Sequence, residues 1–193
     1  MIFERQPELR ERVEAVTHRR VRGDLPIVED TTHYMRISSG SVLRLGGSDY
    51  YVTSEAREGR FGIGDQPKFW VKFAFDLESG ERKVIKLVFH EEFTAALGFF
   101  SVRCRRSPDK ESAVLQLVGD DERFMQGRTV RDALGNNVRV IDYIKGQSLY
   151  NHLAQLDQPH EEYFQSTLPE VLAKVVGCLD ALAYLHENGI QHG

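Results

Sequence analysis

Lys86 ends the run Lys83-Val84-Ile85-Lys86, a β-prone stretch on which an ammonium would be a point charge held at a fixed position. A group of that kind can steady phosphate oxygens. Three glutamates follow it: Glu91 and Glu92 close behind, and Glu111 twenty-five residues on, in a segment with helical spacing. Upstream, Gly59-Arg60-Phe61-Gly62-Ile63-Gly64 sets three bare backbone amides close together, the composition of a loop able to approach an anion. By residue type alone the bland readings stand beside these. Lys86 is also the solvated end of a surface hairpin, Glu111 a solvent-facing helical acid, and the glycines an ordinary turn. Cys104 and Cys178 are the only cysteines, match no metal or redox spacing, and are expected to be buried free thiols in a reducing compartment. No residue stands out as a metal ligand.

The elements that must position these groups form an α+β order. Pro7, Leu9, Val13 and Val16 predict an opening helix, with Arg19 and Arg20 placed where its C-terminal end favours positive charge. A Pro- and Asp-containing linker runs from Leu25 to Thr32. Ser41–Leu45 and Tyr50–Thr53 flank Gly46-Gly47-Ser48-Asp49 as a hairpin, and two β-prone runs within Val71–Lys86 flank Glu78-Ser79-Gly80 as another. Residues 91–106 are expected to add a local turn or helix. Ser107-Pro108 caps and starts a helix whose Val114, Leu115 and Val118 share a face. Gly135-Asn136-Asn137 turns the chain between Thr129–Arg131 and a Val138–Ile141 strand. The longest helix is predicted over Leu168–His186, with Gly189 just past its end.

Several of these segments carry a resemblance to one family. Val71–Lys86 is similar, without a gap, to the protein-kinase pattern V-Y-K-A-x-D-x-x-T-G-x-x-V-A-I-K. Glu111 to Val118 resembles the E-x-x-x-L-x-x-L of the kinase helix, with its second Leu shifted. Asn137–Leu153 resembles the hinge, V-x-E-Y-x-x-G-x-S-L-x-x-x-L, and Tyr184–His192 resembles the Y-L-H-x-x-G-I-x-H run into the catalytic loop. The resemblance implies a protein-kinase-like N-lobe, an antiparallel sheet with one packed helix, followed by the hinge and the helical start of a C-lobe. It implies that Lys86 contacts the α- and β-phosphates of ATP and that Glu111 pairs with it. Glu91 and Glu92 lie too close behind Lys86 for the family's spacing. Val71 and Val84 would sandwich adenine, Ile141 would line the back of its pocket, and the backbone of Asp142 and Ile144 would meet its edge. Gly146 would let the chain pass from strand to helix, and Ser148 would cap that helix. Gly59, Gly62 and Gly64 would cover the phosphates, although Phe69 stands where the family has its last loop glycine. The catalytic Asp is expected just after Gly193, and Mg²⁺ belongs to the full-length protein, so the chain as given is expected to be an inactive nucleotide-binding portion. Gly193 stands where protein kinases usually have Arg. His192-Gly193 instead resembles the H-G-D loop of small-molecule phosphotransferases of the aminoglycoside and choline kinase type.

Ser/Thr protein kinase is the favoured parent activity. A small-molecule phosphotransferase and a pseudokinase scaffold or binding module are the alternatives. Domains are expected at 1–33 (helix and linker), 34–144 (N-lobe) and 145–193 (hinge exit and C-lobe helices). A hydrophobic content of 41% and a charged content of 28% fit a soluble globular chain, and a net charge of −4 argues against a nucleic-acid partner. No apolar run suggests a signal peptide or membrane span, so a cytoplasmic location is expected. ATP and, for the full-length protein, a protein substrate are the expected partners. Val175, Leu179, Leu182 and Leu185 would be left uncovered on the last helix, which predicts a homo-oligomer through it.

Overall fold

The computed structural model describes residues 6–55, 71–87, 91–97 and 99–190, with the backbone alone at 55, 91, 93, 95–97, 102 and 104–106. The described residues divide into two compact units, one within Met1–Gly119 and Gln126–Tyr143, the other within Asp120–Met125 and Ile144–Gly193. The opening helix packs into the first unit.

That unit begins with α1 (Gln6–Thr17), then β1 (Ile27–Val28), a 3₁₀ turn at Tyr34–Arg36, β2 (Val42–Leu45) and β3 (Ser48–Glu55). β4 (Val71–Asp76), β5 (Arg82–Leu87), the hairpin β6 (Glu91–Leu97) and β7 (Phe100–Arg106), α2 (Pro108–Leu117), β8 (Gly127–Arg131) and β9 (Asn137–Asp142) complete it. Among the described residues a mixed sheet runs in the order β1-β2-β3-β4-β5-β9-β8, antiparallel throughout except for the parallel pair β1–β2. Gly46 and Gly47 make the β2–β3 turn with φ of 57° and 88°, the left-handed pair that suits a tight hairpin and that only glycine adopts cheaply.

Three expectations change. α1 stops at Thr17 because His18 takes a positive φ of 55°, which leaves Arg19 and Arg20 beyond the helix. The expected linker contains β1. Glu91–Leu97 and Phe100–Arg106 pair as antiparallel strands where a turn or helix was expected, and the apolar–polar alternation of Phe100-Ser101-Val102-Arg103 favours a pleated strand.

The sheet has two unlike faces. Leu43, Leu45, Tyr50, Val52, Ala74, Ile85, Val138 and Val140 close on Tyr34 and Ile37 to form the main core. Tyr34, 1% exposed, donates from its hydroxyl to the Ile85 carbonyl at 2.7 Å and so fastens this core to β5. On the opposite face, α1 covers the β2–β3 end through Leu9, Val13, Leu25, Val42 and Leu77. α2 covers the β8–β9 end of that face, where Ser112 and Thr129 hydroxyls meet at 2.9 Å. The middle of this outer face, on β4 and β5, stays half-buried.

The second unit holds α3 (Leu149–Ala154), capped by Ser148 Oγ on the Asn151 amide at 3.1 Å. α4 (His160–Glu162) runs through a π turn into α5 (Leu168–Glu187), and Gly189, with φ of 74°, ends it. Phe124 packs on Tyr184 of α5 at 5.9 Å. Leu172, Val175, Val176 and Leu179 are exposed as an apolar stripe, but Leu185, expected to be uncovered, is buried. Cys178 is exposed on the same stretch, against the expectation of burial, because it shares the uncovered side of the helix. The Cys104 side chain lies outside the described residues. No helix among those residues is long and apolar enough to cross a membrane.

Candidate functional site

Residues directly opposite one another on antiparallel strands share a face of the sheet. Val71 stands opposite Lys86, Phe73 opposite Val84, Lys86 opposite Arg139, and Val84 opposite Ile141. Val71, Val84, Lys86 and Ile141, nominated from two distant stretches of sequence, therefore lie on adjacent strands of one face. The apolar part is widened by Phe73 and Tyr143, whose rings meet edge to face at 6.0 Å, and the Arg82 cation lies 4.0 Å from the Tyr143 ring centroid at its border.

The acid arrives from α2. Ser107 accepts the Lys110 amide at 3.2 Å and Pro108 occupies the first turn, so the helix starts where its sequence predicts. That start puts Glu111 in the first turn, over β5 and β9, with its carboxylate 3.9 Å from the Lys86 ammonium. Both side chains are partly shielded, 32% and 25% exposed.

Glu111 has a second and closer partner, the Arg139 guanidinium. Sequence reasoning did not nominate Arg139. The available signal was a lone charge inside Val138-Arg139-Val140-Ile141, and only the strand register reveals that it sits opposite Lys86. Arg139 is 8% exposed, and its Nε is buried without a hydrogen-bond partner. Burial draws its pKa below the ordinary arginine value, while the charge and hydrogen bond of Glu111 act in the opposite sense. Glu111 thus draws the Lys86 ammonium and the Arg139 guanidinium to one carboxylate.

The other nominated residues fall differently. Asp142 points its carboxylate to the far face, where Lys83 binds it at 2.7 Å. The Lys83 pKa is raised, since burial pulls it down but the bonds to Asp142 and Glu81 outweigh that. The Asp142 amide donates to the Gln126 carbonyl at 2.9 Å, so it is not available to the edge of a ligand. Ile144 belongs to the second unit and is 69% exposed. Gly59, Gly62 and Gly64 lie outside the described residues, as do Phe69, His192 and Gly193. No group of three His, Cys, Asp or Glu able to hold a metal occurs among the described residues.

Comparison with known proteins finds no matching family model, no matching curated protein and no matching solved structure.

Proposed function

We propose that this chain is the ATP-binding portion of a protein kinase, of the Ser/Thr type, which in its full-length form transfers the γ-phosphate of ATP to a protein. The observation that carries this reading is the meeting of Lys86 and Glu111 at 3.9 Å, from a strand and a helix, on the sheet face that also holds Val71, Val84 and Ile141. In this reading Val71, Val84 and Ile141 pack against adenine. Lys86 meets the phosphate oxygens, and Glu111 holds the ammonium in place by charge. Mg²⁺ would neutralise phosphate charge in the full-length protein, and its ligands are not among the residues nominated here. The setting is cytoplasmic, where ATP is at hand.

A pseudokinase scaffold is the second reading, and one observation favours it. Arg139 holds Glu111 more closely than Lys86 does, and a carboxylate so engaged is less able to orient a catalytic lysine.

Calorimetry with ATP, with and without Mg²⁺, tests the proposal. The 193-residue chain should bind ATP weakly, with little dependence on Mg²⁺, and should transfer no phosphate. Lys86→Met should weaken that binding by about tenfold, the loss of one charge-assisted contact. Unchanged binding by Lys86→Met, or phosphate transfer by this chain, would sink the reading.

A further inference from the structure

The outer face has a second feature at the end remote from Glu111. A cleft of about 660 Å³ opens between the segment that follows α1 and strands β3 to β5. Its lining includes Arg19, Arg20 and Arg22 from the segment, Arg82 from β5, and the aromatic residues Tyr51 and Phe75. Tyr51, Phe75 and Arg82 sit opposite one another across the three strands, so they share the outer face. Asp24 is the one acid in the lining. Four cations against one carboxylate leave a surplus of three positive charges in a chain whose net charge is −4.

The segment is fastened to α1 along its length. Glu14 accepts the Val21 amide at 2.8 Å, Arg10 donates to the Gly23 carbonyl at 3.0 Å, and the Gln6 amide bonds Leu25 in both directions at 3.1 and 3.3 Å. The arginines therefore project from a held backbone. Three arginines of this unit do have acids: Arg12 and Arg44 share Asp49, and Arg139 has Glu111. Arg19, Arg20 and Arg22 have no ion-pair partner among the described residues. Leaving three like charges together without acids costs repulsion, and the cost is removed when an anion enters.

We propose that this cleft binds a phosphorylated peptide segment, its phosphate gripped by Arg20, Arg22 and Arg82 and a neighbouring apolar side chain resting on Tyr51 and Phe75. Planar guanidinium forks match phosphate oxygens two at a time, which is why clustered arginines recognise phosphorylated motifs. A concave site with a single acid and two aromatic residues in its lining fits a side chain and its flanks better than a flat membrane surface. The negative charge of the whole chain works against a nucleic-acid backbone. The inference does not depend on the nucleotide reading.

Fluorescence anisotropy on the full chain decides it, using one labelled serine-centred decapeptide in phosphorylated and unphosphorylated forms. The phosphorylated form should bind at least about tenfold more tightly, as charge-assisted contacts to the phosphate require. Arg20→Gln combined with Arg22→Gln should abolish the difference, and Arg82→Gln, on the opposite wall, should reduce it independently. Circular dichroism should be unchanged, since these side chains are exposed. Equal binding of the two peptides overturns the proposal. So does unchanged affinity in both variants, or tighter binding of a single-stranded oligonucleotide or of phosphatidylserine vesicles than of the phosphopeptide.

Discussion

Arg139 and Lys86 approach the same carboxylate, and the outcome is set by burial. The guanidinium lies deeper and holds Glu111 more closely, so removing Glu111 leaves a charge stranded in the sheet. Breaking such a pair by deleting one partner costs about 3 kcal/mol, whereas replacing both members by apolar residues of similar size is close to neutral. Glu111→Ala should therefore lower the free energy of unfolding in urea by about that amount, and Glu111→Leu with Arg139→Leu should recover most of it. If the double variant is as unstable as the single one, the pair is not what holds α2 to β9. Tyr34 offers a simpler case. Tyr34→Phe removes the hydroxyl and its bond to the Ile85 carbonyl, and the same urea titration should show a loss of about 1 kcal/mol.

Between elements, Asp132 is the principal tie. Its carboxylate, on the turn joining β8 to β9, accepts the Thr31 amide and hydroxyl at 2.7 and 2.6 Å and the Leu134 and Asn136 amides at 2.9 and 2.8 Å. Burial alone would raise its pKa, but the bonds from Thr31 and Asn136 prevail and hold it at about 2. A carboxyl depressed in the folded state contributes stability above its unfolded value, near 3.9, and loses it as pH falls through the folded value. The contribution at neutral pH is on the order of 2–3 kcal/mol. Wild type and Asp132→Asn should thus differ most above about pH 5 and converge towards about pH 2, read as midpoints of urea unfolding. A gap that stays constant with pH would show that the charge on Asp132 is not the source. Gly127 marks a second tie. A Cβ there would lie 2.6 Å from the Val140 carbonyl oxygen and 2.8 Å from Ile141 Cα, both backbone atoms of β9. Gly127→Ala should force β8 away from β9 and lower the thermal midpoint, whereas Gly135→Ala, with open space around it but a φ of 84°, should act through backbone strain alone.

For the whole molecule the uncovered stripe of α5 sets the expectation. Leu172, Val176 and Leu179 are each more than half exposed, and full burial of one such side chain is worth roughly 1.5–3 kcal/mol. We expect the chain to associate through this helix, giving a mass above 22.1 kDa in light scattering that rises with concentration. Leu179→Glu should lower that mass. Leu185→Glu should instead destabilise the second unit, because Leu185 is buried within it. A strict monomer at high concentration would remove α5 from consideration as an interface.

The local elements were legible in the sequence because their causes are local. Ser107-Pro108 starts α2, Ser148 caps α3, Gly189 ends α5 and Gly46-Gly47 turns β2 into β3, each through a backbone preference contained within a few residues. The strand alternation also put Val84 and Lys86 on one face. What the sequence could not determine was which face would be the inside. In Val71-Lys72-Phe73-Ala74-Phe75-Asp76 the pattern invites Phe73 and Phe75 inward and Lys72 out. The fold does the reverse: Lys72 is fully buried, its ammonium 5.5 Å from the Tyr34 ring centroid, and the two phenylalanines stay half-buried on the outer face. That choice was made by the curl of the sheet around Tyr34 and Ile37, contacts between residues far apart in the chain. The same holds for Arg139, which only the register of β9 against β5 brings to Glu111, and for the arginine cleft, whose walls are some sixty residues apart in sequence, from Arg22 to Arg82. Periodicity and capping act over one turn or one strand, whereas the pairing of charges across a sheet depends on which strands become neighbours, and that is decided by the tertiary core.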